Sequence, residues 1–505
     1  KSMKKLILIL VGVVSMANSY SQNLTDALRY STGETQGTAR FKSMSGAFGA
    51  LGGDLSAVSI NPAGSAIFNS SHGALSISNL STSNAAAYGS TTQNSKINAF
   101  DMNQIGAAFV FKNRAPEASW NKFVISVFYE QLDNYNNQIF AAGSTQKTIG
   151  DYFTGIANGL RLDEISALPG ESVSQAYNAI GASYGYDFQQ AYLGYESYIL
   201  QPADDIDDNT AYTSNIAAGD FYQEYSYAST GYNGKFSVNL GLQYNQNISF
   251  GINLNSHFVN YERSTYLYEE NTNVGSTINQ VDFENTLLTM GEGFSLQLGS
   301  IIKVNDKIRL GISYESPTWL TLREETTQYI ATLEDATGLE AKVDPRVINV
   351  FPQYKLQSPA KVMGSAAFIL GKKGLLSVDF SRKDYSSTKL KSSENVDFSI
   401  QNSLISNTLK AANSLRIGGE LRHKNFSYRG GYKIEQSPYK DSSVYGDLKG
   451  FSLGLGYNLG NARLDLAYEN SKRDSSHGLY NAQNLNAAKL NTTISNISLT
   501  LNLRL

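Results

Sequence analysis

The residues best suited to bind a ligand through the backbone lie near the N-terminus. Four glycines and an Asn-Pro-Ala element fall close together there: Gly46, Gly49, Gly52, Gly53, Asn61, Pro62 and Ala63. Glycine at this density lets the backbone approach a neighbour closely or adopt a positive φ, as a phosphate-binding loop also requires. No strand pattern precedes these glycines and no Gly-Lys-Ser/Thr follows them, so the pattern favours a compact, small-sided plug over a nucleotide site.

Charged residues of both signs recur on the polar sides of strand-like segments farther along the chain. They are Arg309, Glu315, Asp379, Lys383, Arg416, Glu420, Arg422, Arg463, Asp465 and Glu469. We expect them to pair across an interior and with the N-terminal residues. A catalytic site needs a nucleophile, a base and oxyanion donors together, and no such group is apparent. The four His residues show no metal-ligand spacing. The sequence therefore predicts no enzyme, no bound metal and no cofactor.

The elements that carry these residues alternate apolar and polar side chains with a period of two, which predicts β-strands. In the last segment, Ile497, Leu499, Leu501, Leu503 and Leu505 alternate with polar residues. The same pattern recurs from residue 123 onward, for example over 236–244, 248–254 and 451–459. We count about fourteen strands of roughly the ~9–11 residues that a membrane-spanning strand needs.

The connections between these strands alternate in length. Short turns are predicted near 113–121, 245–247, 304–307, 371–374, 423–425 and 458–461. Long polar segments are predicted near 83–102, 141–221, 266–285, 324–352, 389–408, 436–449 and 470–492. Outer-membrane barrels have short periplasmic turns and long extracellular loops. We therefore predict an all-β fold, a 14-stranded antiparallel transmembrane β-barrel, over a soluble β-sandwich, although periodicity alone does not say which side of a strand faces inward.

Composition and the N-terminal residues agree with an exported membrane protein. Lys4 and Lys5 precede the apolar run 6–14, and Ser19 and Ser21 stand at small-residue positions before Gln22, as in a secretory signal peptide. Removing residues 1–21 changes the formal net charge from −3 to −6, which argues against a nucleic-acid partner. The chain has no Cys, so disulfides are excluded. We expect the outer membrane of a Gram-negative bacterium, with both termini periplasmic.

Two further segments depart from simple alternation. The third strand runs apolar from Phe123 to Tyr129 and then breaks around Asp133 and Asn134. This break indicates either a kinked lateral opening in the barrel wall or the point where the strand leaves the membrane.

The long 141–221 segment contains two helical apolar faces. Their members include Phe153, Ile156, Phe188, Tyr192 and Tyr195. These faces could pack on each other as a cap, form an extracellular groove that captures an apolar ligand, or dock a partner barrel.

Residues 37–68, with the glycines from Gly46 and the Asn61-Pro62-Ala63 element, resemble the FadL/TodX family of outer-membrane transporters for long-chain fatty acids and other hydrophobic compounds. The resemblance implies a fourteen-stranded barrel with an N-terminal hatch in its lumen. It also implies capture of an apolar ligand at the extracellular side and lateral release into the membrane. Asn61, Pro62 and Ala63 match the hatch motif, with a structural or gating role.

The resulting domain prediction is a signal peptide at 1–21, a hatch at 22–70, and a barrel at 71–505 that carries the helical loop at about 141–221. The predicted function is passive, cofactor-free uptake of hydrophobic small molecules, with membrane lipid and the ligand as partners. The alternative is a non-transporting accessory barrel in a larger outer-membrane secretion or assembly complex, which would add other outer-membrane proteins as partners.

Overall fold

The computed structural model describes residues 24–115, 118–334, 336–392, 397–480 and 487–505. The predicted signal peptide, residues 1–21, lies outside these ranges. Among the described helices, none is both long and apolar enough to cross a membrane.

The described residues form twenty-two strands. They are β1 (His72–Tyr88), β2 (Thr91–Lys112), β3 (Trp120–Asn134), β4 (Asn137–Thr145), β5 (Leu200–Pro202), β6 (Tyr212–Ser214), β7 (Phe221–Tyr244), β8 (Ile248–Glu270), β9 (Gln280–Lys303), β10 (Ile308–Glu315), β11 (Trp319–Glu334), β12 (Leu339–Val343), β13 (Asn349–Val350), β14 (Tyr354–Gln357), β15 (Lys361–Ile369), β16 (Gly374–Asp384), β17 (Lys389–Ser392), β18 (Ala411–His423), β19 (Phe426–Glu435), β20 (Leu448–Asn458), β21 (Ala462–Gly478) and β22 (Ala487–Arg504).

The helices of the described residues fall in three groups. Three short ones precede the first strand, three lie between β4 and β7, and one follows β17. They are α1 (Leu24–Arg29), α2 (Ala39–Lys42), α3 (Leu55–Ile60), α4 (Ile149–Ala157), α5 (Val173–Tyr184), α6 (Tyr186–Glu196) and α7 (Ser399–Thr408). A 3-10 helix, Pro62–Ile67, follows α3 directly.

Fourteen of the strands form a closed antiparallel barrel. Their order around the wall is β1, β2, β3, β7, β8, β9, β10, β15, β16, β18, β19, β20, β21 and β22. The last strand pairs with the first from His72↔Arg504 to Ala87↔Lys489, so the sheet has no free edge at the chain ends. The predicted fourteen-stranded barrel is confirmed.

The apolar side of each ladder faces outward. In β22, Ile497, Leu499 and Leu501 are exposed, whereas Ser498 and Thr500 are buried inside. A soluble barrel would bury the apolar side, so this arrangement excludes the soluble alternative and suits an apolar surrounding medium.

The ends of the barrel differ, and we name them by their connections. At the short-turn end lie the predicted tight turns, for example Asn245–Asn247, and there Leu505 donates its N–H to the Ser71 carbonyl oxygen (3.0 Å). At the long-loop end lie the connections that carry α4 to α7 and strands β11 to β14.

The predicted strand length of ~9–11 residues is met by β15, β16, β19 and β20 but is too short for other barrel strands. β7, β8 and β9 have 24, 23 and 24 residues, and β1 and β2 continue to a tight turn at Gly89 where a long polar loop was expected. The reason is that neighbouring strands remain paired beyond the apolar band. In that part of a strand both faces carry polar or tyrosine side chains, so the apolar alternation that marks a strand in the sequence is lost.

Candidate functional site

Residues 24–68, here called the N-terminal segment, fold into short helices held by their own caps. Thr38 caps α2 by accepting from Phe41 N (3.2 Å) and donates to Asp54 Oδ1 (2.7 Å). Asp54 in turn caps α3 by accepting from Ser56 N (3.1 Å). These side chains satisfy helix N–H groups that would otherwise lack partners. The segment therefore has its own local structure despite its small residues.

The predicted motif residues Asn61, Pro62 and Ala63 join this segment to the barrel wall. Asn61 is fully buried, and its Nδ2 donates to the carbonyl oxygens of Gly49 (2.8 Å) and Ser300 on β9 (3.1 Å). Its Oδ1 accepts from Ala63 N (3.2 Å), while the Pro62 carbonyl accepts from Asn239 Nδ2 on β7 (3.0 Å). One asparagine thus connects two parts of the N-terminal segment to a strand, which is a structural role. Whether the motif also gates remains a prediction.

The glycines near the N-terminus have two separate uses. Gly52 and Gly53 have φ values of +61° and +68°, a region that favours glycine. At Gly49 an added Cβ would instead overlap Ser365 of β15, and at this close approach the N–H groups of Phe48 and Gly49 donate to Asp379 Oδ2 (both 2.9 Å). A barrel carboxylate therefore occupies the place that the phosphate-loop interpretation would have given to a nucleotide.

Glycines of the barrel wall form a second feature, one that sequence reasoning missed. Seven strands present an inward glycine on which an added Cβ would overlap the N-terminal segment: Gly241, Gly251, Gly299, Gly311, Gly418, Gly431 and Gly454. A Cβ on Gly311 would lie 2.5 Å from the Gly49 carbonyl oxygen, and one on Gly418 would lie 2.5 Å from that of Met44. We call this set the glycine belt. The signal was available, because these glycines occupy polar-side positions of the strand ladders.

Buried ion pairs complete the contact between the N-terminal segment and the wall. Glu420 on β18 binds Arg429 Nε (2.6 Å) and Arg40 Nε (3.1 Å), and Asp465 binds Arg429 (2.8 Å) and Arg463 (2.7 Å). The predicted pairing of inward charges with the N-terminal residues is observed at Arg40, whereas the pairs among Glu420, Arg429, Arg463 and Asp465 lie within one stretch of the wall, β18 to β21, and do not cross the lumen.

Two cations of the N-terminal segment respond differently to burial. Burial lowers the pKa of the Lys42 ammonium, and Glu469 at 3.3 Å offsets part of this effect. Burial also opposes the charged form of Arg40, but the carboxylates of Glu420, Asp54 and Asp465 together outweigh it and raise the Arg40 pKa. Arg40 is accordingly the firmer electrostatic attachment to the barrel.

The predicted break in the third strand coincides with a gap in the hydrogen-bond ladder. β2 and β3 pair from Lys112↔Lys122 to Gln104↔Glu130. Beyond that point, residues 91–103 of β2 pair only with β1. β3 continues along β7 past a bulge between Gln131 and Asp133, ends at Asn134 and resumes as β4. Asp133 and Asn134 therefore lie at a place where the wall has no ladder on one side.

Side chains close this gap in place of backbone bonds. Asn134 Nδ2 donates to Asp101 Oδ2 (2.6 Å), Asn84 Nδ2 donates to the Gln138 carbonyl oxygen (2.6 Å), and Ser95 Oγ donates to the same carbonyl (2.7 Å). Side-chain bonds of this kind can break individually, whereas a ladder opens cooperatively. The wall between β2 and β4 is thus closed by side chains and not by a backbone ladder.

A cavity of about 930 Å³ lies behind the gap, between the N-terminal segment and the long-loop helices. Asp133, Tyr135 and Ile139 bring the gap-side wall to it. Its lining includes seven cationic side chains, Arg29, Lys235, Arg263, Lys361, Lys383, Arg416 and Arg473, and five carboxylates, Glu34, Glu130, Asp133, Glu315 and Glu435. The lining of the cavity therefore carries a cationic excess.

Tyrosines form much of the apolar lining of the same cavity. Tyr30 and Tyr135 are among the lining residues, and their rings meet each other and the ring of Tyr261 edge to face, with centroids 5.4 to 6.4 Å apart. The Arg29 guanidinium lies 4.0 Å from the Tyr261 ring centroid, within cation–π range. The cavity can therefore contact both an apolar body and a polar or anionic group.

The long-loop helices pack on each other and on the inward faces of the extended strands. Phe153 of α4 and Tyr192 of α6 are fully buried in one apolar cluster that also contains Tyr88, Phe283 and Ile330. We call these helices and the strand residues under them the cap. The predicted helices are confirmed, and the mutual packing that was one of their expected arrangements is observed.

Three predicted capture residues lie at the edge of the cap. Ile156, Phe188 and Tyr195 are half-buried against its cluster, and Phe188 stacks on Tyr184 with ring centroids 5.2 Å apart. Phe153 and Tyr192, inside the cluster, present no surface in this arrangement. A capture groove at the three edge residues remains a prediction.

Comparison with known proteins identifies the family of the chain. The family model of BamG matches residues 197–500, which is more than half of the chain. The chain belongs to the BamG family. No curated protein matches it.

Two solved structures share the fold of this BamG-family chain. A FadL homologue from Pseudomonas aeruginosa matches with a TM-score of 0.54 and 12% identity, over 94% of this chain and 99% of that one. The toluene transporter TodX of P. putida matches with a TM-score of 0.52 and 11% identity, over 93% and 99%. At these identities the likeness establishes the fold. The resemblance drawn from the sequence is thus confirmed for architecture, while the matching family is named BamG.

Proposed function

We propose that this BamG-family chain is an outer-membrane barrel for passive uptake of hydrophobic small molecules, such as long-chain fatty acids. The observation that carries the proposal is the ladder gap between β2 and β3, closed by side chains and backed by the luminal cavity. The domain division goes with it: a signal peptide at 1–21, a hatch at 22–70 and a barrel at 71–505. Both termini would be periplasmic.

The proposed path enters at the long-loop end and leaves through the wall. The half-buried apolar residues at the edge of the cap, Ile156, Phe188 and Tyr195, would receive the ligand. The cavity would hold its apolar part among tyrosines and any anionic end near the cationic excess. Release would follow when the bond between Asp101 and Asn134 breaks and β2 separates from β4, with the hatch in place below. No energy source or cofactor is required.

A disulfide across the gap tests this path. The chain has no Cys, so Asp101→Cys with Asn134→Cys introduces one pair where two side chains are already 2.6 Å apart. The matched control is Asn470→Cys with Ser495→Cys, a directly opposed pair in the intact β21–β22 ladder with side chains 2.9 Å apart. Uptake of a fluorescent fatty acid by cells is measured before and after reduction.

We expect oxidation of the gap pair to abolish most uptake and reduction to restore it, with the control pair unaffected. Equal uptake through the oxidised and reduced gap pair would rule out lateral release there.

Closure of the lumen at both ends favours a second candidate, a non-transporting accessory barrel of a secretion or assembly complex. The cap buries Phe153 and Tyr192 completely at one end, and buried ion pairs fix the N-terminal segment at the other. Native mass spectrometry after gentle detergent extraction separates the two candidates. A stable complex with other outer-membrane proteins, together with unchanged fatty-acid uptake in a deletion strain, would favour the accessory role.

A further inference from the structure

The short-turn end of the barrel contains a second, smaller cavity, of about 280 Å³. It lies between the N-terminal segment and the ends of the strands. Its lining includes Arg40, Arg309, Arg422 and His72, together with the backbone of Gly52 and Gly53. No carboxylate lines it among the described residues. We call it the arginine pocket.

Two carboxylates close to this pocket are each shared among several cations. Glu420 binds Arg40, Arg422 and Arg429, and Asp465 binds Arg429 and Arg463. A carboxylate shared among three guanidinium groups leaves positive charge uncompensated.

Two further cations of this region have no carboxylate within 4.0 Å among the described residues. The Arg309 guanidinium donates to the Leu51 carbonyl oxygen (2.9 Å), and Lys122 Nζ donates to that of Phe68 (2.7 Å). Leu51 and Phe68 both line the arginine pocket. Lys122 is also buried, and burying a charge without a counter-ion is unfavourable. The pocket is therefore an electropositive recess that a bound anion would neutralise.

The surface around the pocket has the same sign. Exposed cations at the short-turn end are Lys112, Arg114, Lys307, Lys372, Lys373, Arg422, Lys424 and Arg504. Among the described residues of these turns, the exposed acidic residue is Asp306, and it forms an ion pair with Lys303 (2.7 Å). By contrast, residues 146–220 at the long-loop end carry many more acidic than basic residues. Such a field attracts anions to the short-turn mouth.

We propose that the arginine pocket is a phosphate-binding site at the short-turn mouth, with Arg309 and Arg422 as its main ligands. A guanidinium matches a phosphate group geometrically and can bind two of its oxygens at once. The phosphate could belong to a phospholipid headgroup or to a soluble phosphate compound, since both present the same group. This site is separate from the ladder gap and from the luminal cavity of the proposed transport path.

The test is an isothermal calorimetry titration, in which inorganic phosphate is added to the full chain in neutral detergent at constant ionic strength. Arg309→Gln removes one of the cations that line the pocket. Lys307→Gln is the matched control, because it makes the same change in charge at an exposed turn residue two positions away. Arg422→Gln is a second pocket variant, because Glu420 keeps Arg40 and Arg429 as partners when Arg422 is removed. Resistance of the folded band to SDS before heating checks folding of each variant.

We expect saturable binding to the unaltered chain, weakened about tenfold by either pocket variant and unchanged by Lys307→Gln. Absence of saturable binding, or an equal loss in Lys307→Gln, would overturn the proposal in favour of diffuse surface charge. If Arg309→Gln does not fold, the Arg422→Gln result decides.

An experiment in nanodiscs distinguishes the two possible sources of the phosphate group. In phosphatidylcholine nanodiscs, whose headgroups carry a phosphate but no net charge, loss of phosphate binding relative to the neutral detergent would support the site and identify a lipid headgroup as its occupant. Retained binding would support the site and identify a soluble phosphate compound.

Discussion

The two ends of the lumen are closed by different kinds of interaction. At the short-turn end, the N-terminal segment rests on the glycine belt and is held by side-chain bonds to backbone, such as those of Asn61, and by the Arg40–Glu420 ion pair. At the long-loop end, the cap is closed by apolar and aromatic burial around Phe153 and Tyr192. Polar contacts of fixed geometry specify one position, whereas an apolar cluster tolerates adjustment. The comparison indicates a rigid base and a more adaptable cap.

The largest expected effect comes from filling the glycine belt. A Cβ on Gly251 would overlap the Pro62 backbone, so Gly251→Val should displace the N-terminal segment and destabilise the folded barrel by roughly 4 kcal/mol or more. Resistance of the folded band to SDS and proteolysis of residues 24–68 measure this. The control is Gly364→Val on β15, where an added Cβ meets nothing within 4 Å. Equal behaviour of the two variants would mean that the belt does not position the segment.

Breaking the central ion pair should have the next largest effect at the same end. Arg429→Met leaves Glu420 and Asp465 without their shared partner, and both carboxylates are buried. Loss of one partner of a buried pair costs about 3–5 kcal/mol, to be measured by urea unfolding. Arg161→Met, which breaks an exposed ion pair with Asp163 on the loop, should leave unfolding unchanged. A small effect of Arg429→Met would show that Arg40 and Arg463 alone are sufficient to neutralise Glu420 and Asp465.

Truncation inside the cap should weaken the long-loop end alone. Phe153→Ala removes a fully buried ring, and we expect about 3 kcal/mol of local destabilisation because the neighbouring helices can partly collapse into the space. Hydrogen exchange should quicken in residues 146–220 and stay unchanged in residues 39–68. Faster exchange at both ends would contradict the distinction between a rigid base and an adaptable cap.

The smallest effect is expected at the ladder gap between the two ends. Asn84→Ala removes the bonds that Asn84 makes to β4, including that to the Gln138 carbonyl oxygen (2.6 Å), at a cost of about 1 kcal/mol. Amide exchange over residues 137–141 should increase slightly while β21 and β22 do not change. If no amide near the gap responds, side chains are not what closes it.

Much of the fold could be predicted because strand identity is a local property. The alternation from Phe236 to Tyr244 indicates a strand whatever it pairs with, and Asn245–Asn247 indicates the turn that makes the next strand its neighbour. The helices around Phe153 and Tyr192 followed from local periodicity in the same way. Where both faces are polar, as beyond Tyr266, the signal disappears and the strand length was underestimated.

The candidate site was predictable only in part. The break at Asp133 and Asn134 was visible as a loss of apolar alternation, but its meaning depends on which residues of β2 lie beside it, and the sequence does not contain that register. The burial of Phe153 and Tyr192 likewise depends on Tyr88 and Phe283, which belong to distant strands.

By itself, the sequence determined a closed barrel of fourteen strands, its short-turn and long-loop ends, and a small-sided N-terminal segment, because turns and alternation act over a few residues. The tertiary structure alone decided how the lumen is filled. Arg40 and Glu420 are 380 positions apart, and Gly251 meets Pro62 only because barrel closure sets the stagger of every strand. The inward glycines and the strand break are visible in the sequence, but the partners that make the glycine belt, the ladder gap and the arginine pocket come from contacts of this range, which no local pattern encodes.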